Sequence, residues 1–233
     1  ELGMPCFIKA SRSGSSVGCY RCDKVEDLLP KLEEAAKYDT HVMDVGAGDA
    51  KGSLRYARAN PNAAVLALDL SWDAFDKSSK NAAKKFERGG AENIMFLCAN
   101  AFEISNFIDN QIDLMRIYLP WGNLLEGLAE NNEKLLTSLA STLHNDAIFE
   151  IVINSEIWKE NLPKHLAHLG EITPDFFVTN NSVLENFGYA LKETRFLTSD
   201  EIKELDTTWS AKLMSSRSQA NFVMAKAVYR KIV

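Results

Sequence analysis

The stretch His41-Val42-Met43-Asp44-Val45-Gly46-Ala47-Gly48-Asp49 constrains the fold of this chain more than any other part of it. A short apolar run enters a glycine turn, and a helix-like segment follows from Lys51 to Ala59. Ala64-Val65-Leu66-Ala67-Leu68-Asp69 then supplies a second apolar run ending in a carboxylate. That order reads as a βαβ unit, because parallel strands need a crossover helix between them. Gly46 and Gly48 bring no Cβ, so a ligand can approach the backbone closely. Asp69 falls about 20 residues after the turn, where a carboxylate grips a ribose diol. The spacing Gly46-x-Gly48-x-x-x-Gly52 is one residue longer than the dinucleotide turn. Asp49 also sets an anion where a pyrophosphate needs the helix N-terminus free. A cofactor without phosphates, carrying a ribose and an amino-acid end, suits this turn better. S-adenosylmethionine is such a molecule.

The rest of the chain continues the alternation. A helix is predicted over Trp72 to Arg88 with Ser71 as its N-cap, stopped by Gly89-Gly90. Ile94 to Cys98 and Ile112 to Leu119 read as buried strands, Asn132 to Leu143 as a helix and Ala147 to Ile153 as a strand. Tyr189 to Arg195 and Asn221 to Tyr229 read as the last two strands, with a short helix over Ser199 to Leu205. Asp23 to Tyr38 has a helical pattern interrupted by Pro30. Residues 1–22 are expected to form an N-terminal hairpin or arm, and 154–188 an insertion before the last two strands, all within one domain spanning 1–233. Near-continuous apolar strands alternating with helices imply an α/β fold whose mainly parallel seven-stranded sheet is covered on both faces. Ligands in such sheets bind at the carboxyl ends of strands. Gly46, Asp69, Asn100 and Pro120-Trp121 all follow strand ends, so they share one rim.

Composition narrows the class. With 233 residues, 46% hydrophobic and 25% charged, the chain can bury a full α/β core. No apolar run reaches the ~20 residues of a membrane span, and a cytoplasmic monomer with no membrane partner is expected. The four cysteines are too few for a disulfide scaffold. Cys19-x-x-Cys22 lacks the second pair or histidine of a zinc site, so no metal is expected. His41, His144, His165 and His168 show no spacing with a nucleophile and read as structural. A net charge of −6 weighs against nucleic acid as a partner, but local patches decide that question.

Several motifs together resemble one family. Asp44-Val45-Gly46-Ala47-Gly48-Asp49, Gly89-Gly90, Leu119-Pro120-Trp121-Gly122-Asn123-Leu124-Leu125, and Thr208-Trp209 followed by Ser215-Ser216-Arg217 are similar to the Kam-type aminoglycoside-resistance 16S ribosomal RNA methyltransferases. The resemblance runs from about Phe7 to the C-terminus. It implies a class I, Rossmann-like methyltransferase that moves a methyl group from S-adenosylmethionine to N1 of a decoding-site adenine of 16S rRNA in the 30S subunit. By the same resemblance Ala101 and Phe102 lie beside the cofactor adenine and Thr207 near its amino-acid end. Tyr118, Leu119, Pro120, Asn123 and Thr208 complete the cofactor set begun by Asp44, Gly46, Gly48 and Asp69. Phe102 stands where the family commonly has a carboxylate, with Glu103 one residue on. Ala50 replaces a frequent glycine, and Gln219 a frequent arginine.

N1 of a paired or stacked adenine is hidden, so the base must be turned out, and aromatic faces can replace the lost stacking. The resemblance implies that Trp121 and Trp209 sandwich the flipped base. Trp121 lies between proline and glycine and Trp209 in a polar segment, so both suit a loop site better than a core. Trp72 and Trp158 sit in helical patterns and suit packing. N1 already carries a lone pair, so catalysis reduces largely to positioning. Lys77, Lys80, Lys84 and Arg88 recur at spacings of three and four, beside Lys85, and are expected to share one helix face toward phosphate. Lys212 and Arg217, with Lys226, form a second candidate patch. The alternatives are a tRNA guanine-N7 methyltransferase, a small-molecule methyltransferase, and a homologue that binds S-adenosylmethionine and RNA without turnover.

Overall fold

A computed structural model describes residues 6–9, 19–22, 24–27, 40–155, 164–205 and 221–232. Two short strands, β1 (Cys6–Lys9) and β2 (Cys19–Cys22), pair antiparallel. The alternating part then runs β3 (Thr40–Val45), α1 (Lys51–Ala59), β4 (Ala63–Asp69), α2 (Trp72–Ala82), β5 (Ile94–Cys98) and β6 (Ile112–Tyr118). It continues through α3 (Gly122–Ala129), α4 (Glu133–Thr142) and β7 (Leu143–Asn154). After β7 come α5 (Pro174–Thr179), α6 (Asn181–Glu185), β8 (Tyr189–Phe196), α7 (Ser199–Glu204) and β9 (Phe222–Tyr229). The seven-stranded sheet has the order β5-β4-β3-β6-β7-β9-β8. Neighbours from β5 to β7 are parallel, and β9 runs antiparallel to both β7 and β8.

Burial on both faces follows from strand alternation. Met43, Val45, Leu66, Leu68, Met115 and Ile117 enter the larger core, which α3 and α4 close with Leu125, Leu135 and Leu139. Val42 and Val65 point to the opposite face and pack with Leu54 and Ala57 of α1 and Ala82 of α2. Each parallel strand is therefore apolar at successive positions, as a sheet covered on both sides requires. Asp44 and Arg116, which are register partners on β3 and β6, interrupt this pattern.

One expected element ends early. The helix predicted to run to Arg88 stops at Ala82, and a separate 3₁₀ turn covers Phe86–Arg88. The chain folds back on itself here: Ala91 N–H donates to the Ala82 carbonyl at 3.1 Å, and Gly90 N–H to that of Lys85 at 3.1 Å. A Cβ on Gly90 would fall 1.6 Å from the Lys84 carbonyl oxygen, so only glycine permits the return. Arg58 fastens the turn by donating to the Phe86 and Gly90 carbonyls at 2.8 and 2.7 Å. Of the helical pattern from Asp23 to Tyr38, a 3₁₀ turn at Val25–Asp27 is described, and most of the remainder lies outside the described residues.

Candidate active site

The carboxyl ends of β3, β4, β5 and β6 meet at one rim and enclose a cavity of about 610 Å³. Asp44, Gly46, Gly48, Asp69, Ala101, Phe102, Tyr118, Leu119, Pro120, Trp121 and Asn123 all line it. The glycine turn is held from beneath, since Gly46 and Ala47 both donate N–H to the Leu68 carbonyl at 2.9 Å. Gly46 has φ +72°, a left-handed backbone that glycine adopts without strain, and a Cβ there would meet the Leu124 side chain of α3 at 2.8 Å and oblige it to shift. Asp69, half-buried at the end of β4, accepts from Gly48 N–H at 2.8 Å on one oxygen and from Ser71 N–H at 3.1 Å on the other. Its carboxylate thus fixes both the glycine turn and its own, while lone pairs remain for hydroxyl donors.

The far wall comes from β5 and β6. Asn100 caps the 3₁₀ segment Ala101–Asn106 by accepting from Phe102 N–H at 3.1 Å, which sets Ala101 and Phe102 against the cavity. Phe102 packs on Gly127, where an added Cβ would meet its ring at 2.9 Å. Glu103 does not take over the place of the missing carboxylate. It pairs with Lys134 at 3.1 Å on the surface. The wall here is accordingly apolar at Phe102. On β6 the strand ends at Tyr118, one residue before expectation, and Leu119 takes φ +56°. That left-handed step, followed by Pro120, turns the chain so that Trp121 stands at the rim with 61% of its surface exposed. It is not a core residue. Trp72 is also exposed, with its ring edge-on to Phe75 at 6.2 Å.

Sequence reasoning passed over Arg116, which lines the same cavity. Its Nε and Nη2 donate to the two oxygens of Asp44, both at 2.6 Å, and its guanidinium lies 3.8 Å from the centre of the Tyr56 ring. Burial pulls the guanidinium pKa down, but the charge and hydrogen bonds of Asp44 outweigh it and raise it, so the group stays protonated. Tyr118 flanks the guanidinium and donates its hydroxyl to Glu150 at 3.1 Å. Burial first, then the negative charge of Glu150, push the phenol well above its ordinary range. A lone arginine inside the apolar run Ile112 to Leu119 was the signal that could have revealed this pair.

The basic residues are distributed differently from expectation. Lys77, Lys80, Lys84, Lys85 and Arg88 are all exposed, but the end of α2 leaves only Lys77 and Lys80 on the helix. Lys80 pairs with Asp76 and Lys84 bonds to Asn81, each at 2.6 Å. Thr207, Thr208, Trp209, Lys212 and Arg217 lie outside the described residues, as does Trp158.

The cavity fits S-adenosylmethionine on three observations. Glycine backbone forms one side, so nothing stands off the ligand; a carboxylate sits where a ribose diol would be held; and an apolar wall at Ala101 and Phe102 suits an adenine.

The model of the NpmA family, 16S rRNA (adenine(1408)-N(1))-methyltransferase, matches residues 25–228. The chain belongs to this family. A relative of that description from Streptoalloteichus hindustanus is 31% identical over 187 residues, covering 79% of this chain and 85% of its own. One from Escherichia coli is 25% identical over 214 residues, covering 88% and 94%. The crystal structure of the 16S rRNA methyltransferase KamB superposes with a TM-score of 0.81 at 26% identity, over 97% of this chain and all of that one. Residues 1–46 also match the model of the D-ala D-ala ligase C-terminus. A D-alanine–D-alanine ligase of Actinobacillus pleuropneumoniae is 51% identical over 43 residues, only 14% of its length. The methyltransferase match by family model thus begins at Val25, beyond the Phe7 at which the motif resemblance starts.

Proposed function

We propose that this chain transfers a methyl group from S-adenosylmethionine to N1 of adenine 1408 in 16S rRNA, presented by the assembled 30S subunit. The observation that carries the reading is an exposed tryptophan, Trp121, at the rim of a glycine-walled cavity that the half-buried carboxylate of Asp69 also lines. The bound cofactor supplies an electrophilic methyl carbon on a sulfonium centre. Asp69 holds the ribose, Ala101 and Phe102 flank the cofactor adenine, and the glycine turn lets the donor lie against backbone. Trp121, with Trp209 from the other side, holds the flipped target base so that N1 faces the methyl carbon. The N1 lone pair forms the new bond as the carbon–sulfur pair withdraws to sulfur, so no residue needs to remove a proton first. The product base is cationic and has lost an acceptor, which disfavours a polycationic aminoglycoside in the same place and confers resistance. Lys77, Lys85 and Arg88, with Lys80, Lys84, Lys212 and Arg217, meet phosphates of the folded RNA, recognised by shape. The enzyme acts as a monomer in the cytoplasm, where its ribosomal substrate resides.

Primer extension tests this directly, since N1 methylation blocks base pairing and stops reverse transcriptase. Incubation of 30S subunits with enzyme and S-adenosylmethionine should give one new stop at the decoding site. Binding to 30S without that stop would leave a non-catalytic RNA-binding protein instead.

A further inference from the structure

The Asp44–Arg116 pair is poorly explained as a stabilising device. It lies between Val42, Met43, Val45, Met115 and Ile117, a layer with almost no solvent contact. Taking both charges from water costs several kcal/mol per ion before their attraction repays it. Apolar residues at these two register positions would complete the sheet pattern without that cost. The pair nevertheless sits in the cavity wall. The charged wall residues are Asp44, Asp49, Asp69 and Arg116. Lys51 pairs with Asp49 from outside the wall at 2.6 Å, and Arg116 is the one cation among the described wall residues. A ligand with an amino-acid end brings a carboxylate up to a wall whose other charged side chains are carboxylates, and that group needs a cationic partner.

The geometry points to Arg116 as the residue that binds the carboxylate of the cofactor's amino-acid end, with Asp44 facing the adjacent ammonium. This deepens the reading above, on which it rests, that the cavity holds S-adenosylmethionine. A guanidinium has five N–H donors. Asp44 takes one from Nε and one from Nη2, and the others have no hydrogen-bond acceptor among the described residues. The plane is fixed before any ligand arrives: Tyr56 covers one part at 3.8 Å, Tyr118 lies 5.4 Å away, and Glu150 holds the Tyr118 hydroxyl. Little rotamer freedom remains to be lost on binding, which favours affinity. The paired charges match a zwitterion, one sign to each end.

Isothermal titration with S-adenosylmethionine and its decarboxylated analogue, S-adenosyl-3-methylthiopropylamine, tests the assignment without RNA. The wild-type protein should prefer the carboxylate-bearing ligand by roughly tenfold to a hundredfold, the scale of a charge-assisted hydrogen bond. Arg116→Met should abolish the preference by weakening S-adenosylmethionine alone, and Arg116→Lys should keep part of it. Asp44→Asn combined with Arg116→Gln keeps a neutral hydrogen-bonded pair and guards against misfolding; it should abolish the preference too. The preference is a ratio within one protein, so a general loss of stability does not move it. Equal wild-type affinity for the two ligands overturns the proposal, as does a preference that survives loss of the guanidinium. Asp69→Ala separates the two ideas, because it should weaken both ligands alike. If it weakens neither, the cavity is not the donor site.

Discussion

Removing the Asp69 carboxylate should have two separable consequences. The side chain accepts Gly48 N–H at 2.8 Å and Ser71 N–H at 3.1 Å, and the residue lines the cavity. Two ribose hydroxyls donating to a charged acceptor contribute about 3 kcal/mol together, so Asp69→Ala should weaken S-adenosylmethionine by roughly a hundredfold. The two freed N–H groups lose their acceptor as well. Asp69 is half-buried, so water replaces much of that loss, leaving about 1 kcal/mol of stability and a fall in Tm of about 2–4 °C. Asp69→Asn retains a carbonyl for one backbone donor. It should recover most of the Tm while recovering little affinity, because a neutral amide grips a diol poorly. Calorimetry beside thermal unfolding, each with and without ligand, measures both. If Asp69→Ala lowers Tm but changes affinity by less than about threefold, the carboxylate is only a staple for the glycine turn and the ribose assignment is wrong.

Trp121→Ala should slow single-turnover methylation by about 5- to 150-fold, the value of about 1–3 kcal/mol of stacking, while Trp121→Phe keeps most of the rate. With 61% of Trp121 exposed, Tm should barely move, and a variant that loses rate only by unfolding would contradict the stacking role. Combining it with Trp209→Ala should be non-additive if both rings clamp one base. Replacing Lys77, Lys85 and Arg88 by Glu should weaken 30S binding and flatten its salt dependence without touching cofactor affinity; an unchanged salt slope in filter binding would mark these residues as ordinary surface. Acid should destabilise the fold through His41. Burial holds its pKa below the usual 6.5, against the opposing pull of Asp113, so the unfolded chain takes up the proton first. Stability is then greatest above about pH 6.5 and falls as pH drops through that value. His41→Gln should flatten the Tm-versus-pH profile there, and an unaltered profile would assign the acid sensitivity elsewhere.

The legible part of this molecule is the part governed by local pattern. From His41 to Asp69, apolar runs, a glycine turn and a terminal carboxylate each have one economical meaning, and the sheet rim followed from where those runs end. Trp121 was legible because proline and glycine on either side exclude a helix or strand interior. What escaped depends on approaches between segments distant in sequence. The premature end of α2 arises because Gly90 packs on the Lys84 carbonyl and Arg58 reaches across from α1, neither visible in a helical period. The left-handed turn at Leu119 runs against the extended preference of a residue before proline. Arg116 looked like an interruption of a strand, and its meaning appears only once β3 and β6 set it opposite Asp44. The ligase-like character of residues 1–46 was hidden because a glycine- and serine-rich segment between short apolar runs is also what a generic hairpin looks like.

The division of the cavity wall between the two halves of the sheet has a consequence for how such an enzyme diversifies. Residues 44 to 124 supply every described wall position except Leu205, and they belong to the parallel strands β3, β4 and β6 or to the turns and helix starts that follow the strands. Among the described residues, the chain after β7 contributes only Leu205 to the wall. Selection on these described wall positions therefore falls mostly on one contiguous stretch. Replacement of a segment outside that stretch would leave all of the described wall but Leu205 in place.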